Sequence, residues 1–214
     1  MKKLSSPIKL IKDSLTIFFE KKNLLYFVSI YLLLVPFQII FYFQGDVKSA
    51  PLVGAIVLVN ILYLVIYLLT LAAGISAIKR VVAKDLLDIK ETYVFAWKNL
   101  WKFSILVTLV FLATLGGVLL LIVPGIIFGI WLSFSNFVFI DKGLGVKASM
   151  GKSRELVRGK FWAVLWRLFV FGLFSGLAGA IVSAVPFGIG SALVALAGAL
   201  FMLPSYLLYR ELSA

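Results

Sequence analysis

The stretch VPGIIFGIWLSFSNFVFIDKGLGVKASMGKSRELVRGKFW, residues 123–162, sets out the plan of this chain. Pro124-Gly125 is an uncharged turn signal, and Ile126 to Ile140 is an apolar run without a charge. Asp141-Lys142-Gly143 then turns into a basic segment that ends at Phe161-Trp162, where a second apolar run begins. A bilayer crossing takes about 20 apolar residues, so this order reads as turn, span, basic interfacial segment and next span.

Outward from it the same order recurs. Leu24–Phe43 is a charge-free run with Pro36 inside it, which predicts a kink. A short polar loop, Gln44–Pro51, leads to Leu52–Ile78, long enough to tilt or protrude. Phe103–Val123 and Ile126–Ile140 flank Pro124-Gly125, and Phe161–Val185 and Ile189–Tyr209 flank Pro186-Phe187-Gly188. Gly closes helices and Pro opens them, so Pro124-Gly125 is expected as a hairpin corner. Ile126–Ile140 is short for a crossing, and the 38 residues from Phe103 to Ile140 divide better into two equal helices. The expected fold is all-α: a single polytopic membrane domain over residues 1–214, with about six transmembrane helices arranged as three hairpins.

Composition agrees. Of 214 residues 63% are hydrophobic, mean hydropathy is +1.11, and a soluble core cannot hold that surplus over the usual ~45–50%. There are 21 Lys+Arg against 9 Asp+Glu. Because the basic residues sit in short segments between apolar runs, the partners they imply are the bilayer and anionic phospholipid head groups, not nucleic acid. Six spans put both termini, the 79–102 segment and the 142–160 segment on one side, with 20 of the 21 basic residues; Lys48 alone lies opposite. By the positive-inside rule that side is cytoplasmic, which places the chain in the cell's inner membrane with both termini inside. No small-residue cleavage site closes the first apolar run, so no cleaved signal is read.

Each hairpin is expected to follow a basic amphipathic helix. In Pro7–Lys22, Ile8, Ile11, Leu15 and Phe18 share one face and Lys9, Lys12, Asp13, Thr16 and Glu20 the other. The alternative is a soluble helix packed on a loop. Asp88 and Glu91 have capping-box spacing ahead of a stripe of Ile89, Tyr93, Ala96, Trp97 and Leu100. Val146, Met150, Ser153 and Val157 make a weaker face before span five. Lys22–Phe27 and Lys98–Phe103 agree at four of six places, which reads either as a parallel repeat or as the ordinary basic-aromatic edge of cytoplasmic helix ends. Lys98, Lys102, Lys147, Arg154, Arg158 and Lys160 are the candidate head-group contacts, beside Trp97 and Trp101.

Chemistry is harder to place. The chain has no Cys and no His, so no cofactor or metal is expected, and no acidic residue falls inside a span. Serines lack an evident base, so no catalytic residue is assigned. Asn60, Tyr63, Tyr67, Thr70 and Gly74 share a helical face that either lines a polar cavity or lipid groove, or glues helices together. Arg167, about 10 Å into span five by helical rise, either pairs with Asp141 or snorkels outward beside Trp162 and Trp166. Gly172 and Gly176, and the stripe Gly188, Ala192, Ala195 and Ala199, are expected at close intrachain contacts. A homo-oligomer or a membrane-protein partner stays open.

Pro124-Gly125-Ile126, Ser133-Phe134, Ala148, Ser153, Leu156-Val157, Gly159 and Phe161-Trp162, taken in order, resemble the superfamily that includes the glycerophosphoryl diester phosphodiesterase membrane domain. The resemblance implies a multi-span membrane protein of bacteria or archaea linked to lipid or envelope homeostasis. Some relatives carry a soluble phosphodiesterase barrel that needs His and metal-binding carboxylates; without His that activity does not transfer. The expected function is a non-enzymatic membrane scaffold or lipid-interacting protein. The alternatives are a transporter or channel for a small or lipid-like solute, and an intramembrane enzyme built near Ser133, Ser135 or Asn136.

Overall fold

A computed structural model describes residues 4–43, 50–186 and 189–214. Lys2, Lys3, Lys48, most of the 44–51 loop and Phe187-Gly188 lie outside the described residues. Among the described residues there is no strand, and six segments are long and apolar enough to cross a membrane: Lys21–Phe41, Gly54–Ala83, Ile89–Leu120, Ile122–Lys142, Phe161–Ser183 and Ile189–Ser213. The protein is an all-α, multi-pass membrane protein.

The chain opens with α1 (Pro7–Phe19), whose N-terminus is capped by the Ser6 hydroxyl accepting from Lys9 N–H, with Pro7 in the first turn. Its stripe buried in the protein is Leu10, Ser14 and Phe18, while Ile8, on the face expected to lie in the membrane interface, is exposed. The helix docks on the C-terminal helix α11 and on α2.

Span one comprises α2 (Lys21–Tyr31), a single 3-10 turn (Leu32–Leu34) and α3 (Val35–Phe43). Pro36 cannot donate to the helical ladder and crowds the turn before it, and the tightened turn sits there as expected. Span two is one helix, α4 (Ala50–Ala83), of 34 residues. At 1.5 Å per residue it is about 50 Å long, well beyond a hydrocarbon core of about 30 Å. Lys84 follows it with φ 59°, a left-handed residue that is not glycine.

Span three differs from expectation. The amphipathic segment before it is not a separate helix, because α5 runs unbroken from Ile89 to Leu120. Asp88 caps it by accepting from Glu91 N–H at 3.0 Å, and no residue between them and Leu120 stops a helix. The corner between spans three and four is Leu121 alone, extended at φ −165°, ψ 149°, so the equal division holds and the narrower boundaries at Val123 and Ile126 do not. Pro124-Gly125 is therefore not the corner. Both residues lie inside α6 (Ile122–Leu132), where a third-position proline loses no hydrogen bond because the first N–H groups have no helical partner. Gly125 instead lets α6 close on α5: a Cβ there would stand 2.8 Å from Val118 N and 2.9 Å from Val118 Cα.

Span four breaks again between α6 and α7 (Ser135–Lys142). The next helix, α8 (Val146–Val157), seals the break through the fully buried Ser153, whose Oγ accepts from Phe134 N–H at 3.1 Å and donates to the Trp131 carbonyl at 2.7 Å. Gly143, at φ 63°, ends α7 in the left-handed conformation that glycine adopts at no steric cost. Span five is α9 (Phe161–Ser183), and span six is α10 (Ile189–Leu196) followed, after a break at Ala197, by α11 (Gly198–Ser213).

The packing is uneven along the membrane normal. The second half of α4, Ala72 to Ile78, is buried on every side, against Phe27, Ile30, Phe134, Val138, Leu203 and Tyr209 among other buried residues. These are all at the end where the basic segments gather. At the other end the outer turns of α5, Leu119 to Val123 and much of α4 are exposed. Gly172 and Gly176 face open space, with nothing within 4 Å of a built Cβ, so that pair makes no close intrachain contact; Ala192 and Ala199 are buried and Ala195 is half-buried.

Candidate functional site

Toward the non-basic end a partly open cavity of about 610 Å³ lies between spans one, two, five and six. Its floor is Tyr31, Thr70 and Met202, and its far end reaches Gln38, Ser183 and Ser191. Three of the five residues on the expected polar face of span two line it: Tyr63, Tyr67 and Thr70. From Thr70 to Tyr63 the wall rises about 10 Å along α4.

The other two serve elsewhere. Gly74 lies beneath the floor, and together with Gly198 it forms a slot for the Tyr31 ring, which a Cβ at either position would overlap. Asn60 is exposed, with its amide donating to its own helix at the Ile56 carbonyl, 2.8 Å away, so it belongs neither to the cavity nor to a helix contact. Sequence reading missed Tyr31 and Gln38, although they stand seven residues apart on one face of span one, astride Pro36. Gln38 Nε2 donates to the Tyr63 hydroxyl at 3.3 Å, and Tyr31 donates to Met202 Sδ at 3.5 Å.

Two of the three broken spans meet at this cavity. The 3-10 turn of span one contributes Leu34, and the Ala197 break of span six is followed at once by Gly198. Irregular backbone at membrane depth is tolerated only where protein or an aqueous or ligand-filled space satisfies it. Here it borders protein on one side and the cavity on the other.

The basic end is knit by polar contacts, and the candidate intramembrane charges are found in these. Asp141 does not meet Arg167. Its carboxylate lies 3.4 Å from Lys79 Nζ and accepts from the Tyr209 hydroxyl at 2.8 Å, while Lys79 also donates to the Asp141 carbonyl at 2.8 Å. Arg167 instead donates to three backbone carbonyls: Nε to Ser5 at 2.8 Å, Nη2 to Leu4 at 3.0 Å and Nη1 to Ala163 at 2.7 Å. Ser5 N–H donates in turn to Glu211 Oε2 at 3.0 Å. The guanidinium fork thus straps the N-terminal segment over spans five and six, a part that a planar donor with five N–H groups fills well.

Of the candidate head-group contacts, Lys98, Lys102, Lys147, Arg154 and Arg158 are exposed and Lys160 is half-buried. The exposed Trp97, Trp101, Trp162 and Trp166 stand beside them in sequence. The Arg154 guanidinium lies over the Trp131 ring at 4.4 Å, a cation–π contact that holds one of the six against the bundle. Outside the spans, Lys152 Nζ donates to Glu155 Oε2 at 2.9 Å and holds that carboxyl below its ordinary value.

Ser133 Oγ donates to its own helix at the Ile130 carbonyl, 2.9 Å away. Ser135 Oγ and Asn136 Oδ1 are buried without a hydrogen-bond partner, and none of the three residues lines the cavity. Among the described residues, no group of three or more His, Cys, Asp or Glu side chains is placed to hold a metal ion. No protein-family model, curated protein or solved structure matches the chain.

Proposed function

We propose that this is a non-enzymatic, lipid-interacting protein of the inner membrane, with both termini cytoplasmic, that engages anionic phospholipid head groups along its basic end. The observation that supports this most is the company the basic residues keep. Lys98 and Lys102 flank the exposed Trp101 on α5, and Arg158 and Lys160 precede the exposed Trp162 on α9. Trp settles at head-group depth and Lys or Arg within a Debye length of an anionic leaflet gains about 1 kcal/mol each. A role in envelope lipid homeostasis is the biological setting that the resemblance implies.

The test is reconstitution in nanodiscs of mixed phosphatidylcholine and phosphatidylglycerol, followed by mass spectrometry of the lipids retained. Phosphatidylglycerol should be enriched around the protein, and Lys98→Glu, Lys102→Glu, Arg158→Glu and Lys160→Glu together should abolish the enrichment. Equal retention of both lipids would overturn the proposal. The absence of native Cys makes single-cysteine labelling free of background: cysteines placed at Lys84 and Ser213 should react only from the cytoplasmic side. A second reading, a carrier for a small or lipid-like solute, draws on the broken spans beside the cavity, since discontinuous helices border many transport sites.

A further inference from the structure

We propose that the cavity between spans one, two, five and six binds a single-chain amphiphile with an uncharged, hydrogen-bonding head. This does not rest on the head-group reading: the cavity lies toward the opposite end of the bundle and uses none of the same residues.

The lining excludes charged ligands first. No Lys, Arg, Asp or Glu is among the described residues that line the cavity, so a phosphate, ammonium or carboxylate inside it would be uncompensated by them at membrane depth, which is costly. The walls are largely carbon, from Leu34, Leu71, Val194 and Phe201, and suit an acyl chain.

The floor then asks for a head. Thr70, beside the floor, is fully buried and turns its hydroxyl toward Tyr93 rather than into the cavity. Tyr93 is close to it, and the Tyr93 hydroxyl, which gives its own proton to the Ile30 carbonyl, can accept from Thr70. The Tyr31 hydroxyl has only a thioether as acceptor, a weak one. Buried hydroxyls normally have a full partner, and the Tyr31 hydroxyl at the floor, with the Gln38 amide and the Tyr67 hydroxyl along the wall, is met by a ligand hydroxyl or amide.

Size and access agree. At about 30 Å³ for each water-sized group, the 610 Å³ cavity holds about twenty heavy atoms. That is room for one acyl chain with a small head. Tyr67 and Ser183, both lining the cavity, are exposed, and Tyr67 follows the outward-facing Leu64 and Val65, so a chain can enter from the bilayer.

The probe is a monoacylglycerol carrying a diazirine on its chain, added to phosphatidylcholine nanodiscs that hold the full-length protein. Adducts after illumination are mapped by mass spectrometry. Labelling should saturate, concentrate on cavity residues such as Tyr67 and Met202, and be competed by plain monoacylglycerol but not by phosphatidylglycerol. Ala195→Phe should abolish it by filling the space. Gly179→Leu, at a lining position where a Cβ meets nothing within 4 Å, should do the same if Ala195→Phe folds poorly. Tyr31→Phe, which keeps shape and removes the hydroxyl, should weaken competition about five-fold, the worth of one net hydrogen bond. Three outcomes would each overturn the proposal: non-saturable labelling spread over the outer faces of α4, α5 and α9, labelling unchanged by both filling variants, or equal competition by phosphatidylglycerol.

Discussion

Ser153→Ala removes a hydroxyl that seals the break in span four. In the folded protein Ser153 Oγ accepts from Phe134 N–H and donates to the Trp131 carbonyl, at 3.1 and 2.7 Å, and both Ser153 and Phe134 are fully buried. Alanine leaves the methylene packing intact and deletes both bonds. The stranded N–H belongs to a fully buried residue, and a buried donor without a partner costs about 1–3 kcal/mol. The lost bond to the Trp131 carbonyl adds about 1 kcal/mol, so a total of about 2–4 kcal/mol is expected. Denaturant titration of the detergent-solubilised protein measures the loss, and hydrogen exchange locates it. Protection of the Phe134 amide should fall steeply, with smaller changes along α8, which Ser153 tethers to span four. Ser149→Ala is the control, because that buried serine makes a single long bond to the Leu144 carbonyl, 3.3 Å away, and should cost less than half as much. If the two variants are equally stable, or if Phe134 exchange does not change in Ser153→Ala, the hydroxyl does not hold the break together.

Three further outcomes are expected. Gly125→Ala should destabilise by about 1–3 kcal/mol through overpacking against the Val118 backbone, whereas Pro124→Ala should be within about 0.5 kcal/mol of neutral; a larger cost for Pro124 would restore that dipeptide as the corner. Arg167→Leu should free Leu4 and Ser5 from α9, speeding tryptic cleavage after Lys9 several-fold, and Arg167→Lys, which lacks the fork, should rescue it only in part; unchanged cleavage in Arg167→Leu would dismiss the strap. Lys84→Gly should raise stability by up to about 1 kcal/mol, because the left-handed backbone there costs a side-chain-bearing residue about 1–2 kcal/mol, and an equal or lower midpoint would mean that the Lys84 side chain contributes more than its backbone costs.

Much of the fold was legible because insertion into a bilayer is decided window by window. Twenty apolar residues without a charge are a crossing whatever they pack against, and the equal division of residues 103–140 located the corner at Leu121 to within a residue. The Asp88 cap and the Pro36 disturbance are likewise local, each fixed by residues within one turn. The candidate site was legible in part for the same reason: Tyr63, Tyr67 and Thr70 are polar at membrane depth, and that alone singles them out. Asn60 carried the same signal and does something else, since its amide reaches a carbonyl on its own helix.

What the chain alone determined, then, was which segments cross the membrane and which end of the bundle carries the charge, since each depends on the cost of placing a given side chain in hydrocarbon. The tertiary structure decided which faces meet. On helices as uniformly apolar as α4 and α9, lipid and a neighbouring helix are nearly equivalent surroundings, so periodicity says little about which side turns inward. Small-residue spacing was equally ambiguous: Gly125 closes on α5 while Gly172 and Gly176 face outward. Asp141 found Lys79 and Tyr209 rather than Arg167, and Arg167 found the backbone at Leu4 and Ser5, because those partners lie 62, 68, 163 and 162 residues away and only the closed bundle brings them within reach. The cavity is of the same kind: its walls come from spans one, two, five and six, and its shape exists only where two broken helices fail to fill the space between them.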